Sequence, residues 1–584
     1  MSPAKLLGSS LFLFVICSGS ALIARAQVVP ESTANVTVVS TNKIRTVDPR
    51  IFGVNTATWD GQLNTNPTRT LLAPTKVGIL RFPGGSTSDT YHWQNNTAID
   101  TNTGQTYQSD MSFDDFAAVA VPLGAQAFIT INYGSGTPQE AAAWVQYSNV
   151  TKGFGFKYWE FGNECYGNWE YDTHNVKQDP YTYAVMFQQY VTAMKSIDPT
   201  IKVGIVIVTG EDQYANNQDH PATNPVTGQV HFGWTPVVLS TLVSLGVTPD
   251  FVIYHRYEQA PGEENDATLL QAAATWKDDA ANLRGMLNDY LGQAAPSVEI
   301  VCTENNSVYT DPGKQSVSIV NGLYLADSTG QILQTEFNSL VWWALRNGQS
   351  TSNNNSPSLY GWRKYGDYGI MSGNNDPYPT YYIKKLLSHF ASGGETVVSA
   401  ASNNSLLAAY SVLGQDGVLR LLLLNKSASA STTANIQITG LTPSGGAAVY
   451  SYGIPQDNAA RTGKGSPDIA VSGIQSVSSS FQYTVGPYSA NVILLAPGGT
   501  TPAPEISTAA FDGHKTLTIT GSGFGNTPKV LINGADVSAE IKKASDGSIT
   551  VKGKEKVLGL VPGANTVQVI GPGSVQSNVF TVQI

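Results

Sequence analysis

Between residues 50 and 390 the chain repeats one pattern, a short and largely apolar run followed in most cases by a longer stretch with helical spacing. Eight such runs lie at 51–55, 79–82, 126–131, 158–161, 202–208, 251–254, 299–302 and 340–343. They are rich in β-branched and aromatic residues and lack polar alternation, as expected of parallel strands covered on both faces. The segments between them carry helix punctuation. Thr137-Pro138-Gln139-Glu140 offers an N-cap hydroxyl, a proline at the first helical position and a glutamate at N3. Two longer helical patterns cover 181–197 and 266–291, the second stopping at Gly292. This alternation predicts an α/β fold in which 50–391 closes into a (β/α)8 TIM barrel. No Gly-x-Gly-x-x-Gly opens the first helix, so a dinucleotide-binding sheet is not expected.

The texture changes past residue 392. Short alternating runs separated by Gly and Asn turns predict a β-sandwich over 392–497, and the strand pattern within 27–49 is expected to join it. A Gly/Pro-rich linker at 498–504 leads to a second all-β unit at 505–584. Its Pro502-Ala-Pro-Glu-Ile506 opening and Gly521-Ser-Gly-Phe-Gly525 resemble the IPT/TIG module, which implies an immunoglobulin-like β domain at the C-terminus. At the other end, Lys5, an apolar run at 6–16 and Ala24-Arg25-Ala26 read as a signal peptide over 1–26, cleaved after Ala26. The apolar run falls short of the ~20 residues that span a bilayer. A secreted or periplasmic protein, free of the membrane once the signal is removed, is expected.

With 33 basic and 43 acidic residues the chain carries a formal charge of -10. Loss of Lys5 and Arg25 with the signal would take -10 to -12. No Lys/Arg-rich run is present to neutralise phosphates, so no nucleic-acid partner is expected. Removal of the signal also leaves two cysteines, Cys165 and Cys302, read as buried thiols rather than a disulfide. The chain has no His-Glu-x-x-His, no Cys-x-x-Cys and no phosphate-cradling or nucleophile-elbow glycine motif, so neither a metal nor a cofactor is expected.

A barrel of this kind places its active site at the C-terminal ends of the strands, which singles out the polar residues that close each apolar run. These are Arg81 on strand two, Asn132 on strand three, Asn163 and Glu164 on strand four, His255 and Tyr257 on strand six, Glu304 on strand seven, and Trp342 or Trp343 on strand eight. Two carboxyls facing each other there are the apparatus of glycosidic bond cleavage, one a proton donor with a raised pKa and the other ionised. Glu164, among Trp159, Phe161, Tyr166 and Trp169, is expected to be desolvated and to act as the acid. Glu304 is expected to be the nucleophile, held ionised by Arg81 and by donors from Thr303, Asn305 and Asn306. Asn163 is a candidate partner for a sugar hydroxyl, His255 or Tyr257 for orienting the nucleophile, and a tryptophan of strand eight for an apolar platform under a sugar ring. Glu160, Glu170, Glu211 and Glu258 read as caps or surface ion pairs.

The segments Leu80-Arg-Phe-Pro-Gly-Gly85, Ile131-Asn-Tyr-Gly-Ser-Gly-Thr-Pro138 and Gly162-Asn-Glu-Cys-Tyr-Gly-Asn-Trp169 resemble those of clan A glycoside hydrolases, particularly the family 51 α-L-arabinofuranosidases. The resemblance covers the barrel and the following sheet region. It implies acid/base catalysis by Glu164, a nucleophilic Glu304 and hydrolysis with retention, and His255-Arg-Tyr257 is similar to the pattern such enzymes carry after strand six. Family members commonly have Trp after the nucleophile where this chain has Asn305 and Asn306, a departure beside the sugar subsite. A retaining arabinofuranosidase acting on plant polysaccharide side chains is therefore expected. A β-xylosidase, β-glucuronidase or β-galactosidase, an endo-acting glycanase, a non-catalytic carbohydrate-binding protein and an adhesive surface protein remain as other readings.

Overall fold

A computed structural model describes residues 31–351, 353–443, 445–498, 503–571 and 576–584. The expected signal at 1–26, and residues 499–502 of the expected linker, lie outside them. Among the described residues no helix is long and apolar enough to cross a membrane.

Eight parallel strands close a barrel in sequence order: β1 (Gly53–Asn55), β2 (Ile79–Phe82), β3 (Gln126–Ile131), β4 (Tyr158–Phe161), β5 (Lys202–Val206), β6 (Phe251–Gln259), β7 (Glu299–Val308) and β8 (Leu340–Trp342). Their apolar runs are continuous because helices cover the outer face while side chains fill the interior; Ile79, Leu80, Arg81 and Phe82 are all buried. Helix Pro138–Val145 starts as its sequence predicts, with Thr137 Oγ1 accepting from the Glu140 amide at 3.1 Å. The Glu140 carboxylate does not return to the cap; it is hydrogen-bonded to His92 Nδ1 at 3.0 Å. The single helix expected over 266–291 is two, Asp266–Ala272 and Trp276–Leu291. Arg256 of β6 takes the Ala272 carbonyl at 2.9 Å and reaches Thr275, which interrupts the helical ladder there.

Strands between residues 396 and 495 form one hydrogen-bonded sheet of nine strands with the N-terminal strand Glu31–Thr46. The N-terminal strand makes the sheet continuous, lying antiparallel to Thr396–Ser402 on one side and parallel to Ser431–Thr439 on the other. Both halves share one apolar core, in which Val36 and Ile436 meet the cluster of Leu421, Leu423 and Ile493. Strand Leu419–Asn425 shows how this sheet is attached: Leu421 and Leu423 face that core, whereas Leu422 and Leu424 belong to the core of the barrel. Asp327, on the barrel helix Ile319–Ile332, adds polar links by accepting from Tyr410 Oη at 2.6 Å and pairing with Lys426 at 2.6 Å. Beyond residue 503, two four-stranded sheets enclose a separate core around Leu517, Ile519, Ile549 and Val567.

At the N-terminal end of the barrel, Glu299 is paired with Arg50 at 2.8 Å and with Lys202. Burial alone would raise its pKa, but these two cations hold it down to about 2. A depressed carboxylate contributes stability that is present above its unfolded pKa and lost as pH falls through the folded one. Denaturant titrations between pH 6 and pH 2 are therefore expected to show a barrel that weakens below about pH 4.5, by on the order of 2–3 kcal/mol from this residue. Glu299→Gln should flatten that part of the profile.

Candidate active site

The C-terminal mouth of the barrel is organised around one guanidinium. Arg81, on β2, is fully buried and donates from Nε to Glu160 at 2.6 Å, from Nη1 to Glu304 Oε1 at 2.6 Å and to Asn55 at 3.1 Å, and from Nη2 to Asn163 Oδ1 at 2.8 Å. Burial would lower its pKa, but the charges of Glu160 and Glu304 raise it, so the arginine is a fixed cation. The second Glu304 oxygen, Oε2, accepts from Tyr257 Oη at 2.6 Å. Burial and the Glu304 charge push the Tyr257 phenol well above its ordinary value, so it remains a donor.

Glu164 stands opposite, in the turn after β4. That turn needs Gly162, which has a φ of +70° and where a Cβ would meet Cys165 Sγ at 2.3 Å. Glu164 Oε2 accepts from Trp169 Nε1 at 2.9 Å, and Oε1 is hydrogen-bonded to His255 Nδ1 at 3.0 Å. His255 also lies 3.8 Å from Glu304 Oε2, and its Nε2 is hydrogen-bonded to Thr303 Oγ1 at 3.0 Å. One oxygen of each glutamate and a ring nitrogen of His255 fall within 4.8 Å of one another. These are metal-ligating atom types; Arg81 and Tyr257 donate to the two Glu304 oxygens and Trp169 to Glu164 Oε2.

The electrostatics differ from expectation at Glu164. Burial raises its pKa, yet the hydrogen bond and charge of His255, with the Trp169 indole, bring it below the ordinary carboxylate value. Nor do Asn305 and Asn306 donate to Glu304. The Asn305 amide is bonded to the Arg256 carbonyl and Tyr324 Oη, each at 2.8 Å, and Asn306 donates to the Trp343 carbonyl. A bulge is the cause: Cys302 pairs with Tyr254 and Glu304 with His255, leaving Thr303 as the extra residue that re-aims everything after it.

Of the remaining candidates, Asn132 is not brought to the carboxylates. Its amide accepts from the Ser135 and Gly136 N–H groups at 2.8 and 3.0 Å and donates to the Tyr91 carbonyl at 3.2 Å, so it shapes the loop after β3. Trp342 is fully buried with its ring 6.1 Å from Tyr324, a packing residue. Trp343 is the half-buried one, 6.2 Å from Trp59 and lying over Gly85, where a Cβ would sit 2.8 Å from its ring. Glu160 and Glu170 are not surface groups. Glu160 is fully buried against Arg81 and Thr130, and Glu170 accepts from Asn163 Nδ2 and Ser86 Oγ, each at 2.8 Å. Asp89, which accepts from the Asn163 amide, is raised by burial to about 7, and Glu170 is raised well above the carboxylate range by burial and its acidic neighbours. Cys165 and Cys302 are free and buried.

No protein-family model matches the chain. It is 30% identical over 156 residues to an α-L-arabinofuranosidase C of Emericella nidulans, covering 22% of this chain and 29% of that protein. An intracellular exo-α-L-arabinofuranosidase of Bacteroides ovatus is 29% identical over 147 residues, 21% of this chain and 27% of its own length. The match thus spans about a third or less of the curated relatives. Among solved structures, an α-L-arabinofuranosidase of Thermotoga maritima in complex with arabinose superposes with a TM-score of 0.60 at 19% identity, over 79% of this chain and 99% of the other. A family 44 xyloglucanase of Paenibacillus polymyxa gives 0.59 at 15% identity, over 80% and 100%. These structural likenesses establish the barrel and its following sheet as a shared fold.

Proposed function

We propose that this protein is an exported retaining glycoside hydrolase, an α-L-arabinofuranosidase acting on plant polysaccharide side chains. The observation that carries the reading is the approach of Glu164 and Glu304 to within 4.8 Å across the barrel mouth. Retaining enzymes hold their carboxyls ~5–5.5 Å apart, whereas inverting ones leave ~6.5–9.5 Å for a water. In this reading Glu304, fixed by Arg81 and Tyr257, attacks the anomeric carbon as Glu164 gives its proton to the departing oxygen. A glycosyl-enzyme ester forms, and Glu164 then takes a proton from the water that displaces Glu304 from the sugar. Asn163 has one side-chain N–H to spare for a sugar hydroxyl beyond its bond to Glu170. Trp343 offers the apolar face. The arabinofuranosidase names of the relatives support the choice of sugar. The signal-like sequence pattern of residues 1–26 supports export, and the two-sheet core beyond residue 503 supports an immunoglobulin-like, IPT/TIG-type module.

An endo-acting glycanase is the second reading. The fold fits the family 44 xyloglucanase as well as it fits the arabinofuranosidase, and Asn305 and Asn306 stand where family 51 enzymes commonly have tryptophan. Hydrolysis of aryl glycosides (α-L-arabinofuranoside, β-xyloside, β-glucuronide, β-galactoside and β-glucoside) decides between them. Cleavage of the arabinofuranoside alone, with rates unchanged after exhaustive chelation, is the expected result. Silence on all five with release of internal fragments from xyloglucan would establish the endo reading.

The acid must be protonated to act, so a Glu164 held below its ordinary pKa moves the alkaline limb of kcat/KM toward acid. In His255→Gln the largest remaining influence is burial, which raises the carboxyl. The alkaline limb is expected to move to higher pH; a limb that stays fixed would remove His255 from this role.

A further inference from the structure

Behind the turn that carries Glu164 lies a carboxyl with no counter-charge. Glu170 is 5% exposed, and both of its donors, Asn163 Nδ2 and Ser86 Oγ, reach the same oxygen, Oε1, at 2.8 Å. Its Oε2 is buried and meets no hydrogen-bond partner among the described residues. The titratable groups around it are all acidic: Asp89 from the turn Gly85–Thr90, Glu164 and Cys165 from its own loop, and Asp172 beside Asp89. Neither Glu170 nor Asp89 pairs with a cation among the described residues. His174 is taken by Asp172 at 2.7 Å, and Arg81 by Glu160 and Glu304.

A carboxylate spreads its charge over two oxygens and draws donors to both, whereas a carboxylic acid accepts at its carbonyl oxygen and carries the proton on the other. Glu170 has the second pattern, and an ionised group with one oxygen buried and unpaired is the costlier alternative. Its task follows from Asn163, which is strung between two partners. Asn163 Oδ1 accepts from Arg81 Nη2 and Nδ2 donates to Glu170, each at 2.8 Å, while the Asn163 backbone N–H is fixed by Asp89 at 3.2 Å. A flipped amide would set its own donors against the guanidinium. We infer that Glu170 is a neutral carboxylic acid that positions Asn163, and with it the turn bearing Glu164. Burial and the charges of Asp89 and Glu164 act in the same direction on its proton. The inference rests on the proposed hydrolase reading only for its effect on turnover; the proton on Glu170 stands without it.

Glu170→Gln and Glu170→Leu in the full-length protein test it. Glutamine keeps the accepting oxygen and puts an uncharged donor where the acid has its hydroxyl; leucine keeps much of the volume and loses both. On the aryl glycoside that is cleaved, kcat is expected to fall about tenfold in Glu170→Leu with KM changed less, and to return to within about twofold of wild type in Glu170→Gln. The second readout needs no activity. A carboxyl kept neutral by the fold contributes stability that is full below its unfolded pKa of about 4.3 and is lost as pH rises toward the folded one. The urea midpoint of Glu170→Gln, which cannot ionise, should therefore gain steadily on that of the wild type between about pH 5 and pH 8. A constant gap overturns the neutral acid, and does so even if the leucine variant fails to fold. A leucine variant as fast as wild type, or a glutamine variant as slow as the leucine one, overturns the positioning role. Wild-type inactivity on every glycoside alongside a widening gap would keep the neutral Glu170 and overturn the hydrolase reading.

Discussion

Glu304→Ala is expected to reduce kcat by roughly 10,000-fold or more, the scale seen when a covalent nucleophile is removed from an otherwise intact site. Both of its oxygens are committed, one to Arg81 and one to Tyr257, so the carboxylate is held in a single orientation before substrate arrives. Glu164→Ala should behave differently. Loss of a general acid typically costs ~100- to 10,000-fold, and the loss should shrink with dinitrophenyl leaving groups, which need no proton. Activity of Glu304→Ala on such substrates must remain low. If the two variants show the opposite dependence on the leaving group, the roles of the glutamates are reversed.

Arg81→Met should be among the most destabilising single changes in the barrel, at about 3–5 kcal/mol, because removal of one partner leaves buried charge without compensation. Glu160 is fully buried, Glu304 nearly so, and Arg81 bridges both. Lysine is no substitute, since four acceptors converge on a planar fork that an ammonium cannot reproduce. The double variant Arg81→Met/Glu160→Met should recover part of the lost stability in urea denaturation followed by tryptophan fluorescence. A double variant no more stable than the single one would show that the pair is not what Arg81 supports.

The barrel strands were legible because burial on both faces leaves mostly apolar residues to read. The same logic could have found Glu160: a charge in the middle of such a run has no route to water and must meet a partner inside. A glutamate near a strand end is usually a surface ion pair, which is how it reads in isolation. The stretch Thr303–Ser307 is polar, yet all five residues are buried within β7, where Thr303 bonds His255, Glu304 is held by Arg81 and Tyr257, Asn305 donates to Tyr324, Asn306 meets Asn321 and the Trp343 carbonyl, and Ser307 bonds Asn306. No local pattern announces the bulge at Thr303, and without it the facing of Asn305 and Asn306 cannot be read. Likewise Trp342 and Trp343 are neighbours in sequence, and only the packing of Tyr324 against one and Trp59 near the other separates core from mouth. The continuity of the nine-stranded sheet was beyond reach for a related reason, since it depends on which strands the N-terminal segment lies between.

That segment sets the order in which the chain can mature. Ser32 bonds Thr432, 400 residues away, and Val36 lies beside Ile436 in the parallel register. During vectorial synthesis the partners of the first strand, at 396–402 and 431–439, are made only after the whole barrel. Pairing of that strand therefore ties together the two sides of the barrel in sequence, and the two sheets beyond residue 503 are made later still.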